Sequence, residues 1–223
     1  MLPSQTVENY LKTIFQAQMT IGSADALVPM GQIATALGVV PGTATTMVKT
    51  LAESGLVHYE PYLGARLTAA GEKLAGLVLR RHRLVELFLV KVLGMSWAEV
   101  HDEAERLEHA VSERLIDKID EMLGRPDVDP HGDPIPTAEG MLPRVNHDDL
   151  LSAPERVPLA ITRVTDQGPD FLRFVEQSGL VPGSTVVIDE RDAAGDRLPL
   201  RLADGRAITI GSLAATKVLV RRS

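Results

Sequence analysis

Apolar residues recur every three or four positions at Val7, Tyr10, Leu11, Ile14, Phe15 and Met19, which marks one face of a helix over 7–19. Ser4 and Thr6 stand where an N-cap hydroxyl belongs. After a break at Gly22 to Ala26, a short helix is expected over 30–37, stopped by Gly38. A third helix opens at Pro41, and its Ala44, Met47, Val48 and Leu51 keep helical spacing up to Gly55. The pattern then shortens to two strand-like runs, 56–60 and 65–68, around a Pro61/Gly64 turn. Three helices and a hairpin describe a winged helix-turn-helix.

A long helical pattern follows from Thr68 through Leu74, Leu77, Val78, His82, Val85, Leu89 and Val92 to Gly94. A second is expected over 96–122, with Ser96 and Glu99 at capping-box spacing. Prolines at 126, 130, 134, 136, 143, 154 and 158 then argue against helix or central strand, so this stretch reads as a partly ordered linker. Beyond it, short apolar runs at 159–164, 185–188, 198–202, 207–210 and 216–220, with a helical piece near 171–178, suggest a small β-barrel. The expected class is mainly α with small β parts. The division expected is 1–70 winged helix-turn-helix, 71–140 helical domain, 141–158 Pro-rich linker and 159–223 small barrel.

Composition narrows the function. The 223 residues are 44% hydrophobic and 24% charged, with a net charge of −7, which alone argues against a uniformly basic nucleic-acid binder. The charge is uneven: residues 1–80 carry 5 basic and 5 acidic side chains, 81–150 carry 8 and 16, and 151–223 carry 10 and 9. The acidity therefore belongs to the middle. The absence of cysteine excludes disulfides, thiolate metal sites and thiol nucleophiles, so any metal must use oxygen and imidazole. No apolar run reaches the roughly 18 residues of a membrane span, and MLPSQTVENY lacks a signal-peptide pattern, so a cytoplasmic protein without membrane partners is expected.

On a helix over 96–122, His101, Glu105, Glu108 and His109 project within about 100° of arc at ~100° per residue. His82 and Glu86 share a face of the preceding helix. Two readings stand side by side: a divalent-metal site between antiparallel helices, or an acidic solvated face, since Asp102, Glu103, Glu113, Asp117, Asp120 and Glu121 lie on the same segment. His58, His131 and His147 read as surface histidines and Trp97 as a packing anchor. Zinc-protease spacing, a Gly-flanked nucleophilic serine and a phosphate-cradling loop are all missing, so no enzyme and no small-molecule substrate are expected.

Four segments in order, Thr6 to Leu11, Arg81 to Glu86, Val100 to Ser112 and His131 to Pro136, together resemble the three-domain type of the diphtheria-toxin-repressor family of metal-dependent transcriptional regulators. The resemblance covers about residues 5 to 136, and the remainder resembles that family's SH3-like C-terminal domain. It implies two metal sites per subunit: His82, Glu86 and His101 as the ancillary site, and Asn9, Glu105, Glu108 and His109 as the primary one. Asn9 stands where the family commonly has Met or Asp, and Glu105 where its iron-responsive branch usually has Cys; such a hard donor set favours Mn²⁺ and tolerates Fe²⁺. Gln167 and Asp170 fall roughly where the barrel of three-domain members lends ligands. Asp129 and Asp133 occupy the family's anion-binding positions and would repel an anion.

The resemblance also implies a homodimeric repressor of metal-uptake genes on a palindromic operator of double-stranded DNA. Its recognition helix would run over 41–54 with Pro41, Thr43, Thr45, Thr46, Lys49 and Thr50, and its wing would offer Arg66. Further basic positions are Lys12, Arg80, Arg81 and Arg83. Threonines lack the bidentate geometry with which Arg reads guanine, so direct readout is expected to be modest. Alternatives are an Fe²⁺- or Zn²⁺-responsive regulator, an activator of efflux genes, or a metal-buffering protein that binds no DNA.

Overall fold

The computed structural model describes residues 4–143, 147–191 and 195–222. The chain forms two compact units, 1–82 with 136–143, and 83–135 with 144–223.

In the first unit, α1 (Gln5–Ile21), α2 (Met30–Ala36) and α3 (Pro41–Glu53) are followed by the antiparallel hairpin β1 (Val57–Glu60) and β2 (Gly64–Leu67), with Val57 opposite Leu67. Ser4 caps α1 by accepting from the Val7 N–H at 3.4 Å, whereas Thr6 lies inside the helix. Gly22, at φ 82°, closes it. The apolar stripe read from the sequence is the core: Leu11, Ile14, Ile33, Ala44, Val48, Leu51 and Leu67 are buried together. Two polar contacts add precision to it. Gln18 accepts from the Leu67 N–H at 3.1 Å, tying α1 to the wing. The Glu8 carboxylate pairs with the Arg81 guanidinium, both side chains 4% exposed, which locks α1 to the next helix, α4 (Ala69–Lys91). Thr68 starts α4 by accepting from the Gly71 N–H through its hydroxyl and from the Glu72 N–H through its carbonyl.

The second unit takes over within α4. The single helix expected over 96–122 is two helices, α5 (Val100–Leu107) and α6 (Glu113–Met122). Ser112 causes the break: its extended backbone and hydroxyl, accepting from the Leu115 N–H, form a fresh N-cap, and a capping serine competes with helix continuation. The Ser96/Glu99 capping box is not formed either, because Glu99 is the N-cap of α5 and Ser96 accepts from Ala98. Leu84, Val85, Val100, Ala104, Ile116, Ile119 and Ile135 close the helical core.

The proline-rich stretch is more ordered than a linker. Asp129 and Asp133 close a tight turn by backbone hydrogen bonding, and Ile135 binds back to Asp127. The C-terminal part is an antiparallel six-stranded sheet in the order β3-β8-β4-β5-β6-β7: β3 (Asp148–Asp149), β4 (Pro158–Val164), β5 (Thr185–Ile188), β6 (Arg197–Leu202), β7 (Ala207–Gly211) and β8 (Val218–Arg222). Helices α7 (Pro169–Gln177) and α8 (Ser212–Ala215) are intercalated, the latter not expected from the sequence. Trp97 is buried in this sheet's core with Leu159, Ile161, Val186 and Leu200, so it anchors packing as expected. A bulge at Thr162 turns β4 so that the Val164 N–H donates to the His131 carbonyl at 2.8 Å. Gly132, at φ 85°, sits so close that a Cβ would meet the Thr162 carbonyl oxygen at 1.9 Å. No helix among the described residues is long and apolar enough to cross a membrane.

Two substitutions check this packing. Glu8→Ala removes a carboxylate partner from a buried guanidinium and is expected to cost about 3–5 kcal/mol in chemical denaturation followed by circular dichroism. Gly132→Ala combines a left-handed backbone with a backbone clash, and is expected to lower stability by about 1–3 kcal/mol and to speed amide exchange at Val164.

Candidate metal centre

In the second unit, donors follow one another along facing elements. His101 Nδ1 lies 3.2 Å from Glu86 Oε1, so α4 and α5 bring together an imidazole and a carboxylate that are 15 residues apart. His101 Nε2 is 3.8 Å from Glu105 Oε1 one turn on. Glu108 ends α5 with its helical backbone intact, and its Oε1 lies 3.2 Å from His109 Nε2. The stripe derived for a continuous helix survives the break for this reason: α5 keeps its geometry through Glu108, and His109 is the next residue. Glu86 and Glu108 are completely buried, whereas His101 and Glu105 are partly exposed. A solvated acidic face does not bury its carboxylates, since an ionised carboxylate without a compensating cation is costly in the interior.

In the first unit, α1 carries Asn9 beside the Glu8–Arg81 pair. Its amide oxygen is buried and has no hydrogen-bond partner among the described residues. An orphaned amide oxygen is an acceptor waiting for a donor or a cation. His82, buried on α4, lies one turn before Glu86 on that helix.

The turn 129–135 extends the site and corrects one expectation. His131 is not a surface histidine: it is fully buried, stacks on Trp97 at a ring separation of 5.4 Å, and its Nε2 donates to the Trp97 carbonyl at 2.9 Å. Asp129 and Asp133 are buried as well. Asp129 Oδ1 accepts from the His131 and Asp133 N–H groups at 2.8 and 2.9 Å. Asp133 pairs with Arg163 of β4 and lies 3.5 Å from Arg83, which also reaches to 3.7 Å from Asp129. Burial, and then the neighbouring charges of Asp133 and Glu86, push the Asp129 carboxyl well above the usual carboxylate range against the opposing pull of Arg83. Gln167 serves this turn too, since its side-chain amide donates to Asp133 Oδ2 at 2.7 Å. Asp170 is fully exposed and pairs with Arg173.

The sequence reading missed Arg83, Asp129 and His131 as parts of this cluster. Their burial depends on the β4 bulge and on Trp97, both distant in sequence, and the prolines around them suppressed every periodic signal. The one trace was the His131 to Pro136 segment.

On the other unit, α3 presents an exposed hydroxyl face. Pro41 is its first residue, and Thr43, Thr46, Lys49 and Thr50 are exposed, with Thr45 half-buried. Thr45, Thr46 and Thr50 donate to the carbonyls of Pro41, Gly42 and Thr46 at 2.8, 3.0 and 3.2 Å. Their donor capacity is therefore used within the helix, and what they offer outward is a lone pair and a methyl group. Arg66 on β2 lies 3.7 Å from Asp25. The wing tip, Tyr62 and Leu63, is exposed.

Comparison with known proteins gives the same order of parts. Residues 3–65 match the iron dependent repressor N-terminal DNA-binding domain, 68–137 the iron dependent repressor metal-binding and dimerisation domain, and 149–222 the FeoA domain. The chain is 32% identical over 203 residues to the iron-dependent repressor IdeR of Mycobacterium tuberculosis, covering 85% of this chain and 86% of that protein. Among solved structures it is similar to a manganese-dependent transcriptional repressor in complex with manganese, with 38% identity, a TM-score of 0.87 and coverage of 97% of this chain and 100% of that one. It is also similar to ScaR with bound Zn²⁺, at 32% identity and a TM-score of 0.77, covering 99% of this chain and 100% of that one. The chain belongs to the iron-dependent (diphtheria-toxin) repressor family of metal-dependent, DNA-binding transcriptional regulators.

Proposed function

We propose that this regulator is activated by Mn²⁺ and, as a cytoplasmic homodimer, represses metal-uptake genes through a palindromic operator. The observation that carries the metal reading is the run of buried or half-buried donors Glu86, His101, Glu105, Glu108 and His109, together with the orphaned Asn9 amide oxygen. In this reading Asn9, Glu105, Glu108 and His109 hold the primary ion, and His82, Glu86 and His101 the ancillary one. All seven are oxygen or imidazole donors and the chain has no cysteine, which suits Mn²⁺ and Fe²⁺ better than softer ions. The bound ion supplies positive charge and a fixed set of directions. The residues do the rest: Glu108 and His109 lie where α5 ends, and Asn9 rides on α1, which Glu8 and Arg81 hold against α4. Gln167 acts as a positioning residue through Asp133.

For DNA, α3 enters the major groove with its outward methyls and lone pairs from Thr43, Thr45, Thr46 and Thr50, while Lys49 and Arg66 meet phosphates. Acceptors and methyls read less than a guanidinium does, so specificity leans on the spacing of two half-sites about one helical turn apart and on DNA shape. Residues 1–80 are neutral overall, and 81–150 carry 8 basic against 16 acidic side chains. Cation binding to the second set relieves repulsion from DNA, and in this way metal and operator are coupled.

The test is a mobility shift on duplexes from upstream of transporter genes, with Mn²⁺, Fe²⁺ and Zn²⁺ at fixed salt. Mn²⁺ is expected to give a sequence-specific shift at lower concentration than Zn²⁺; no specific shift with any ion overturns the reading in favour of a metal-buffering protein. The double variant Glu105→Ala, His109→Ala is expected to lose more than the roughly 10–100-fold in metal affinity that removal of a supporting outer partner costs, and with it the shift. Full metal-dependent binding by that variant overturns the primary-site assignment.

A further inference from the structure

Glu86 turns its two carboxylate oxygens toward two different histidines. Oε1 faces His101 Nδ1 at 3.2 Å, and Oε2 faces His131 Nδ1 at 4.0 Å. His101 belongs to the ancillary set, whereas His131 has no part in either proposed site.

The state of the His131 ring follows from its partner. Nε2 lies 2.9 Å from the Trp97 carbonyl oxygen, which can only accept, so that nitrogen carries a proton, and in the neutral ring Nδ1 is the lone pair. Nδ1 is buried and has no hydrogen-bond partner among the described residues. It faces Glu86 Oε2 and Asp129 Oδ1, each at 4.0 Å, beyond hydrogen-bond reach. Ligand atoms from Glu86, Asp129 and His131 all lie within 4.8 Å of one another, and all three residues are buried. Such a lone pair and two carboxylates held together in the interior repel unless a metal ion lies between them or a proton sits on Nδ1. Their separations, 4.0 Å for two pairs and within 4.8 Å for all three, are about twice the bond of roughly 2.0–2.2 Å that a first-row divalent ion makes to nitrogen or oxygen.

The surroundings hold these donors in place. Two backbone N–H groups fix the Asp129 carboxylate through Oδ1, while Oδ2 accepts no hydrogen bond among the described residues. The Trp97 carbonyl on the far side of the imidazole is the outer partner that orients a ligating histidine.

We infer that Glu86, Asp129 and His131 form a further divalent-cation position, wholly buried, which shares the Glu86 carboxylate with the ancillary set. Its ligands are two carboxylates and one neutral imidazole, a set for Mn²⁺, Fe²⁺ or Zn²⁺. His101 is half-exposed and His131 is not exposed at all, so an ion reaches the inner position past Glu86 and exchanges more slowly than the outer ones. Once filled, it ties α4 to the 129–135 turn and, through the His131 carbonyl and Val164, to β4.

The inference rests on the regulatory reading only for the outer ligands, and the experiment separates the two. The full-length protein is loaded with Mn²⁺, and anomalous diffraction at the manganese edge locates the ions. In parallel, stoichiometry and release into excess chelator are compared between the wild type and His131→Gln. A peak between Glu86, Asp129 and His131 is expected, with one more ion per chain than in His131→Gln and a slow release phase that this variant lacks. Peaks at the outer positions with none at the inner one overturn this inference and leave the regulatory reading intact; no peak at any position overturns both. The diffraction arm needs only the wild type, so it stands even if the variant folds poorly.

Discussion

Most of what this chain does hangs on carboxylates that have been taken out of water. Glu86 and Glu108 have no exposure, and Asp129 and Asp133 have almost none. Hydrophobic packing cannot compensate such groups; only hydrogen bonds, guanidiniums or bound cations can. The chain uses all three kinds of answer in different places. Asp133 is met by Arg163, Arg83 and the Gln167 amide, and Asp129 by two backbone N–H groups. Glu86 and Glu108 are met by histidines, His101 and His109, which are themselves metal-ligating groups. In the proposed reading a divalent ion joins these carboxylates and imidazoles as a further counter-charge.

The fold around this arrangement was legible where periodicity speaks. The stripe from Val7 to Met19, the spacing of Ala44, Val48 and Leu51, and the short apolar runs after Pro158 correspond to α1, α3 and the strands of the C-terminal sheet. What the pattern missed depended on single polar residues or on distant partners. Ser112 splits one apparent helix into two because its hydroxyl caps better than it continues a helix. The turn at 129–135 looked like linker because prolines erase periodicity, yet Thr162 and Val164, some thirty residues on, hold it in place.

The site was legible in the same uneven way. Glu105, Glu108 and His109 lie close together in the chain, and spacing alone placed them on one stripe. Pairing of Glu86 with His101 required only that α4 and α5 pack, as adjacent helices do. His131 and Asp129 could not be found by spacing, since nothing local says that a histidine in a proline-rich turn is buried under a tryptophan. Gln167, in the segment between β4 and α7, supports a carboxylate of the 129–135 turn through its amide, a contact no local pattern announced.

On the DNA side, the threonines of α3 spend their protons on backbone carbonyls and the first eighty residues carry no net charge, so affinity for an operator has little to draw on by itself. Dependence on the cation follows, and coupling between two ligands is reciprocal by necessity. The most direct measurement is therefore the Mn²⁺ affinity of the full-length protein with and without operator duplex, alongside operator affinity with and without Mn²⁺, at one salt concentration. The account predicts that each ligand tightens the other by the same factor, about tenfold or more. An Mn²⁺ affinity that operator DNA leaves unchanged would contradict it.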